Sequence, residues 1–282
     1  MLSYGDAFYR LKNELLPIYD EGEAAAIAHE LLSHITGLRK IDRLMKKNDP
    51  LSVAQIEAFE KGRRELLQGR PLQYVTGVAW FDGKEYKVNE HVLIPRPETE
   101  ELVNWIINDA KDKQDLSILD IGTGSGCIPI ALKLGLPNAM VTACDISADA
   151  LRVAKENARH LKADISFIKT DFLNQKMWAN FDAYDIIVSN PPYIPRSEYE
   201  NMHTNVRDHE PEIALFVPND DALLFYRNIA EFAREHMKEN GCIYCELHKD
   251  HAEETERMFK VKGYRTDLQV DMHGNPRMIK AW

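Results

Sequence analysis

The stretch VSNPPYIPR, Val188–Arg196, sets an asparagine, two prolines and a tyrosine directly after YDIIVSN, an apolar run that reads as a buried strand. Proline cannot donate to a sheet ladder, so the strand ends at this corner. The residue types there suit the activation of a planar NH2 group. Such a nitrogen is a poor nucleophile because its lone pair is delocalised, and removing its proton outright is too costly near neutral pH. Two fixed acceptors, the Asn190 side-chain oxygen and the Pro191 backbone oxygen, would draw its hydrogens aside and turn the lone pair toward an electrophilic carbon. Pro191 and Pro192 stiffen the turn, so little reorganisation is needed at the moment of reaction. Tyr193 could lay its ring over the planar group. Taken alone, the same four residues could be no more than a strand-terminating turn.

The electrophile is suggested upstream. LDIGTGSGCIPIAL puts Gly122, Thr123, Gly124, Ser125 and Gly126 between a strand and a helix, where glycines let backbone approach a ligand closely. Asp120, two positions before the first glycine, would repel a pyrophosphate but suits an ammonium group. Asp145 closes the next strand, in ACDIS, and is placed to accept from both hydroxyls of a ribose. A nucleoside joined to an amino acid, not to phosphates, satisfies both acids, which describes S-adenosyl-L-methionine. KTDF then ends a third strand with Asp171 and Phe172, candidates for the edge and face of the adenine. The plain alternative is that Asp171 caps a helix start and Phe172 fills core.

These side chains need a scaffold, and the pattern around them supplies one. SILDIG, AMVTACDIS, ISFIKTDF and YDIIVSN read as strands, with CIPIALKLG and DALRVAKENARHL as helices between the first three. Such alternation with continuous apolar strands predicts an α/β fold, a mostly parallel sheet covered on both faces. A helix over DALLFYRNIAEFAREHMKENG, a strand CIYCEL, a helix HAEETERMFKVKGY and a pair RTDLQVDMH and RMIKAW around a turn at HGNP complete it, so the sheet should close with an antiparallel C-terminal hairpin. Residues 1–70 have helical spacing, with Ser52 as an N-cap and acids opening the helix of DEGEAAAIAHELL. Residues 71–97, including QYVTGVAWF, DGK and EYKVNEHVLI, should form a β-hairpin connector, and residues 98–282 the catalytic domain. Pro97 suits the first turn of a helix that runs through ELVNWIINDA.

Composition narrows the partners. The 282 residues carry a net charge of -10, which repels a phosphate backbone, so no direct nucleic-acid contact is expected and a protein substrate is favoured over a nucleobase. The apolar runs are short and broken by charge, and the N-terminus lacks a basic-then-apolar leader, so no membrane contact and a cytoplasmic address are expected. Cys242 and Cys245 form C-x-x-C with His248 following, but no second ligand cluster has suitable spacing, so no metal is expected and the cysteines read as small apolar residues.

PLQYVTGVAWFDGKEYKVNEHVLIPRPETEELV, ILDIGTGSGCIPIAL, CDIS, TDF, SNPPYIP, NVRDHEPEIAL and GNPRMI together resemble the glutamine N5-methyltransferases of bacterial peptide chain release factors, the HemK or PrmC family. The resemblance covers nearly the whole chain from residue 71, and the helical N-terminal region fits in size. It implies a class I S-adenosylmethionine-dependent methyltransferase of Rossmann-like fold with a small N-terminal helical domain that grips the substrate. It implies that Gly122–Gly126, Asp145, Phe172 and Asn190 bind the cofactor, beside Asp171 as read above. Asn190, Pro191, Pro192 and Tyr193 would hold the glutamine of the Gly-Gly-Gln loop of class I release factors. Some similar sequences have tryptophan where Phe172 stands, which keeps an aromatic face. Thr99 and Glu100 would line the cofactor's methionine end, and Glu210 and Pro211 the pocket rim.

Overall fold

The computed structural model describes residues 1–282, Asn201 by its backbone alone. Helices α1 (Tyr4–Leu15), α2 (Glu21–Thr36), α3 (Lys40–Met45), α4 (Val53–Leu67) and α5 (Leu72–Thr76) lead the chain. The hairpin strands β1 (Val78–Phe81) and β2 (Lys84–Lys87) and helix α6 (Pro97–Ala110) follow. Next come β3 (Ser117–Ile121), α7 (Cys127–Gly135), β4 (Met140–Asp145), α8 (Ala148–Leu161), β5 (Ser166–Lys169) and β6 (Tyr184–Ser189). Short pieces, β7 (Ile194–Pro195), α9 (Thr204–Arg207), α10 (Glu212–Leu215) and β8 (Phe216–Val217), precede α11 (Leu224–His236) and β9 (Met237–Glu246). The chain closes with α12 (Ala252–Val261), β10 (Thr266–Val270) and β11 (Pro276–Ala281).

The chain forms two compact units, Met1–Val78 with His203–His209, and Ala79–Met202 with Glu210–Trp282. In the smaller unit, Ser52 and Gln55 cap α4 reciprocally, and Asp20 accepts from the Glu23 N–H at the start of α2. Leu11, Leu31, Phe59 and Leu66 fill its core. Gly62 lets α4 approach α2, since a Cβ there would lie 2.9 Å from Leu31. The α9 segment belongs to this unit through Asn205, which donates to the Tyr19 hydroxyl.

The larger unit is built on a seven-stranded sheet of order β10-β11-β9-β6-β3-β4-β5. Strands β3, β4, β5, β6 and β9 are parallel, while β11 runs antiparallel to both β9 and β10. Every residue of β3 is buried, as a strand covered on both faces requires. Ile118 and Val188 face a core shared with Leu102 and Ile130; Leu119 and Ile187 face one shared with Ile229 and Phe232. This alternation follows from the period of two along a strand.

Two local expectations are corrected. Leu72–Thr76 is helical, not extended: Pro71 presets the first turn, the Tyr74 and Val75 N–H groups both donate to the Pro71 carbonyl, and Thr76 bonds back to Leu72. Its β-branched and aromatic composition misleads because burial of Tyr74 decides the outcome. The helix expected over 221–241 runs only from Leu224 to His236, and Met237–Gly241 join β9, with a register shift opposite Tyr184 and Asn240 at φ 62°. The hairpin turn at Asp82-Gly83, with φ 48° and 65°, is of the twist-matching kind that the DGK sequence suggests.

Candidate active site

The chain leaves β3 to build β4 and β5 on one side, then returns through β6 on the other. Open α/β sheets bind ligands at such a reversal, beyond the strands' carboxyl ends. A cavity of about 650 Å³ lies there, a volume in the ~300–1,000 Å³ range of small-molecule sites. Gly122, Thr123, Gly124 and Ser125 of the loop after β3, Asp145 at the end of β4, Asp171 and Phe172 after β5, and Asn190, Pro191 and Pro192 after β6 all line it, while Gly126 does not.

The loop is held from below by β4, whose Cys144 carbonyl accepts from the N–H groups of Gly122 and Thr123 at 2.9 and 3.0 Å. Gly122 and Gly124 have φ of 77° and 52°, a conformation that L side chains rarely adopt. Gly126, at φ 81°, has a further reason to lack a side chain: a Cβ would sit 3.1 Å from Ala154, where α7 and α8 pack together. Asp145 Oδ2 accepts from Gly124 N at 2.9 Å, and Oδ1 from Ser147 N at 2.9 Å. Burial raises its pKa, and these N–H groups oppose the rise. Each oxygen retains a lone pair, so the carboxylate can still accept from a pair of hydroxyls.

Asp120 is fully buried on β3, and neither carboxylate oxygen has a hydrogen-bond partner among the described residues. Burial, with Asp145 adding to it, pushes its carboxyl up to about 7. Asp120 does not itself line the cavity, and the nearby Thr123 hydroxyl, likewise without a partner at bonding distance, pulls its pKa down. A buried acid directly behind the glycine loop nevertheless favours a ligand with a cationic group over one with a phosphate. The donor set therefore fits S-adenosyl-L-methionine.

Asp171 and Phe172 both line the cavity, and each also has a local structural role. Asp171 Oδ1 accepts from Leu173 N at 3.0 Å, forming a local turn. Phe172 is 5% exposed and packs edge-on against Phe232 at 5.2 Å, so one part of the ring is core while the residue still walls the cavity.

The Asn-Pro-Pro-Tyr corner is anchored at its base by Ser189, whose hydroxyl donates to the Ile121 carbonyl at 2.7 Å and clamps the end of β6 to that of β3. Asn190 Nδ2 donates to Thr99 Oγ1 at 3.1 Å. Thr99 in turn donates to Glu246 Oε2 at 2.6 Å, and the Tyr193 hydroxyl donates to Glu246 Oε1 at 3.1 Å. Glu246 is 2% exposed at the end of β9; burial raises its pKa, while Thr99, the Arg277 charge and Tyr193 pull the other way.

Tyr193 departs from its expected place. It does not line the cavity: its hydroxyl is drawn to Glu246, and its ring meets His248 edge-on at 5.8 Å. Glu100, expected with Thr99, does not line the cavity, whereas Thr99 does. Glu210, expected at the rim, is buried and ties down a wall segment by accepting from Ile94 N at 3.1 Å and from the Arg96 guanidinium. Glu246 escapes the sequence reading altogether, although an acid in the apolar run CIYCEL was a usable signal. Cys242 and Cys245, three positions apart on one strand, fall in opposite cores and do not form a site together.

Sheet order, glycine loop and paired acids define a class I S-adenosylmethionine-dependent methyltransferase. The Methyltransferase small domain pattern matches residues 100–207, and the PrmC N-terminal domain pattern matches residues 11–77. A methyltransferase from Pyrococcus furiosus shares the fold, with a TM-score of 0.50 and 15% identity over 71% of this chain and 89% of that one. The chain is 41% identical to the release factor glutamine methyltransferase of Flavobacterium psychrophilum over 276 residues, 95% of this chain and 94% of that protein. It is 40% identical to the one from Bacteroides thetaiotaomicron over 273 residues, 96% and 97% of the two chains. The chain belongs to the release factor glutamine methyltransferase family. Among the described residues, no helix is long and apolar enough to cross a membrane.

Proposed function

We propose that this protein methylates the side-chain amide nitrogen of the glutamine in the Gly-Gly-Gln loop of class I peptide chain release factors, working in the cytoplasm. The observation that carries the reading is the position of Asn190: it lines the same cavity as Asp145 and the glycine loop, and its NH2 is already committed to Thr99. Its oxygen is thereby the end left to accept a hydrogen from a substrate amide. The Pro191 carbonyl is the second acceptor of this reading, and the two prolines hold it in place without reorganisation.

Asp145 holds the ribose, Asp120 answers the ammonium, Gly122–Gly126 let the backbone close on the cofactor, and Asp171 and Phe172 receive the adenine. S-adenosyl-L-methionine, when bound, supplies an electrophilic methyl on a sulfonium. The corner's two oxygens orient the carboxamide so that its nitrogen lone pair meets that methyl. The C–N bond would form as the methyl's C–S bond breaks, leaving the neutral thioether S-adenosylhomocysteine, and the N–H proton would pass to solvent water from the hydrogen bond that the corner's oxygens accept. Tyr193 supports this corner from behind through Glu246. The N-terminal helices dock the release factor, the segment 71–97 with its β1–β2 hairpin connects, and residues 98–282 carry the chemistry.

Mixing the protein with S-adenosyl-L-methionine and a class I release factor, followed by peptide mass spectrometry, tests the reading. One added methyl on the Gly-Gly-Gln glutamine is expected. An unmodified glutamine with cofactor-bound protein refutes it.

A further inference from the structure

We propose that Glu246 is a positioning residue which, acting through Thr99, fixes the polarity of the Asn190 amide and so makes the cavity select a carboxamide over a carboxylate. The inference rests on the function proposed above. Its basis is a chain of hydrogen bonds whose direction can be read link by link.

Glu246 presents two oxygens to two hydroxyls, those of Thr99 at 2.6 Å and Tyr193 at 3.1 Å. Both hydroxyls donate to it, and these two donors with the Arg277 charge oppose the rise that burial imposes on the acid, so Glu246 serves both contacts as an acceptor. A hydroxyl has one proton, and that of Thr99 is spent on Glu246. Toward Asn190, 3.1 Å away, Thr99 can therefore only accept, and Asn190 must turn its NH2 that way. The Asn190 oxygen is left as the opposite pole of the amide. Thr99 and Glu246 are each 2% exposed, so water does not offer an easy alternative partner. Reversing Asn190 would set its oxygen against the Thr99 oxygen with no proton between them, leaving buried groups unsatisfied.

The polarity has a consequence for substrate choice. An acceptor facing the cavity suits the N–H of a glutamine side chain and repels the carboxylate of a glutamate. The same residue with its amide reversed would favour the carboxylate. Discrimination between these two nearly isosteric groups therefore resides two bonds away from the contact, in a residue that does not line the cavity.

The test uses the full-length protein saturated with S-adenosylhomocysteine, and calorimetric binding of a release factor carrying Gly-Gly-Gln or its Gly-Gly-Glu variant. Wild type should bind the glutamine form more tightly. Thr99→Val removes the acceptor for Asn190, and Glu246→Gln removes the requirement that both hydroxyls donate. Each should lower the Gln-to-Glu affinity ratio, the first by about tenfold or more, the size expected for one unsatisfied buried polar group. Thr99→Ser, which keeps the hydroxyl, should restore the ratio. A merely structural role would weaken both partners alike and leave the ratio unchanged. If Thr99→Val and Glu246→Gln bind S-adenosylhomocysteine and retain the wild-type ratio, the inference is overturned while the proposed activity stands. A wild-type protein indifferent to the substitution, and transferring no methyl to the glutamine, overturns both.

Discussion

Asn190 and Thr99 are 91 positions apart in the chain, yet the side-chain amide of the first donates to the hydroxyl oxygen of the second at 3.1 Å. The contact joins the end of β6 to the first turn of α6, and Glu246 at the end of β9 completes it. A corner built only from Asn-Pro-Pro-Tyr would leave the amide free to rotate. Three separate elements meeting at one hydroxyl remove that freedom before any substrate arrives, which is the preorganisation that catalysis by fixed dipoles demands.

Asp120 should make cofactor affinity depend on pH. In the free protein burial pushes its carboxyl up to about 7, so below that pH the group is protonated and neutral. An ammonium ligand favours the ionised form and lowers this pKa, so binding expels a proton on the acid side and tightens as pH rises through about 7. Calorimetry in buffers of different ionisation enthalpy should detect the released proton, and Asp120→Asn should abolish it. An unchanged pH slope in that variant would show that Asp120 does not face the ligand's charge. The same shift acts on stability with the opposite sense. The folded state retains a proton that the unfolded chain gives up near ~4, so the free protein loses stability as pH climbs from there through about 7.

Gly126→Ala should destabilise the protein by about 1–3 kcal/mol, because it combines a left-handed φ of 81° with a Cβ only 3.1 Å from Ala154 and 3.2 Å from Ile130. Gly122→Ala shares the backbone strain, but its Cβ would meet nothing within 4 Å. Urea unfolding should rank Gly126→Ala as the more damaging of the two. Equal losses would mean that the α7–α8 approach does not depend on the glycine.

Tyr193→Phe separates an anchor from a stacking platform. It keeps the ring against His248 and deletes the bond to Glu246, so thermal unfolding should reveal a loss of about 1.5–3 kcal/mol, the range for a hydrogen bond to a charged group. Were the ring's face all that mattered, the variant would melt and turn over like wild type.

Much of this organisation was legible in the chain. Strand-helix alternation with apolar strands exposed the parallel sheet, and the glycines at 122, 124 and 126 announced the loop because few residues tolerate positive φ. The elements that misled were those decided by context. Leu72–Thr76 looks extended by composition, but the Pro71 carbonyl and the burial of Tyr74 make it a helical turn. Glu246 is marked in the sequence only as an acid ending an apolar run; its partners, Thr99 and Tyr193, lie 147 and 53 positions away, and no local pattern records such a meeting. The bond from the Tyr193 hydroxyl to Glu246 is hidden in the sequence for the same reason.

The role of the Asn190 oxygen is tested most directly by single-turnover methyl transfer from S-adenosyl-L-methionine to a release factor, comparing wild type with Asn190→Ala and measuring cofactor affinity alongside. Loss of one preorganised partner of the reacting group predicts a rate lower by about 10²–10³-fold with cofactor affinity little changed. A variant that transfers the methyl at the wild-type rate, or one whose loss is explained by failure to bind the cofactor, would contradict the account.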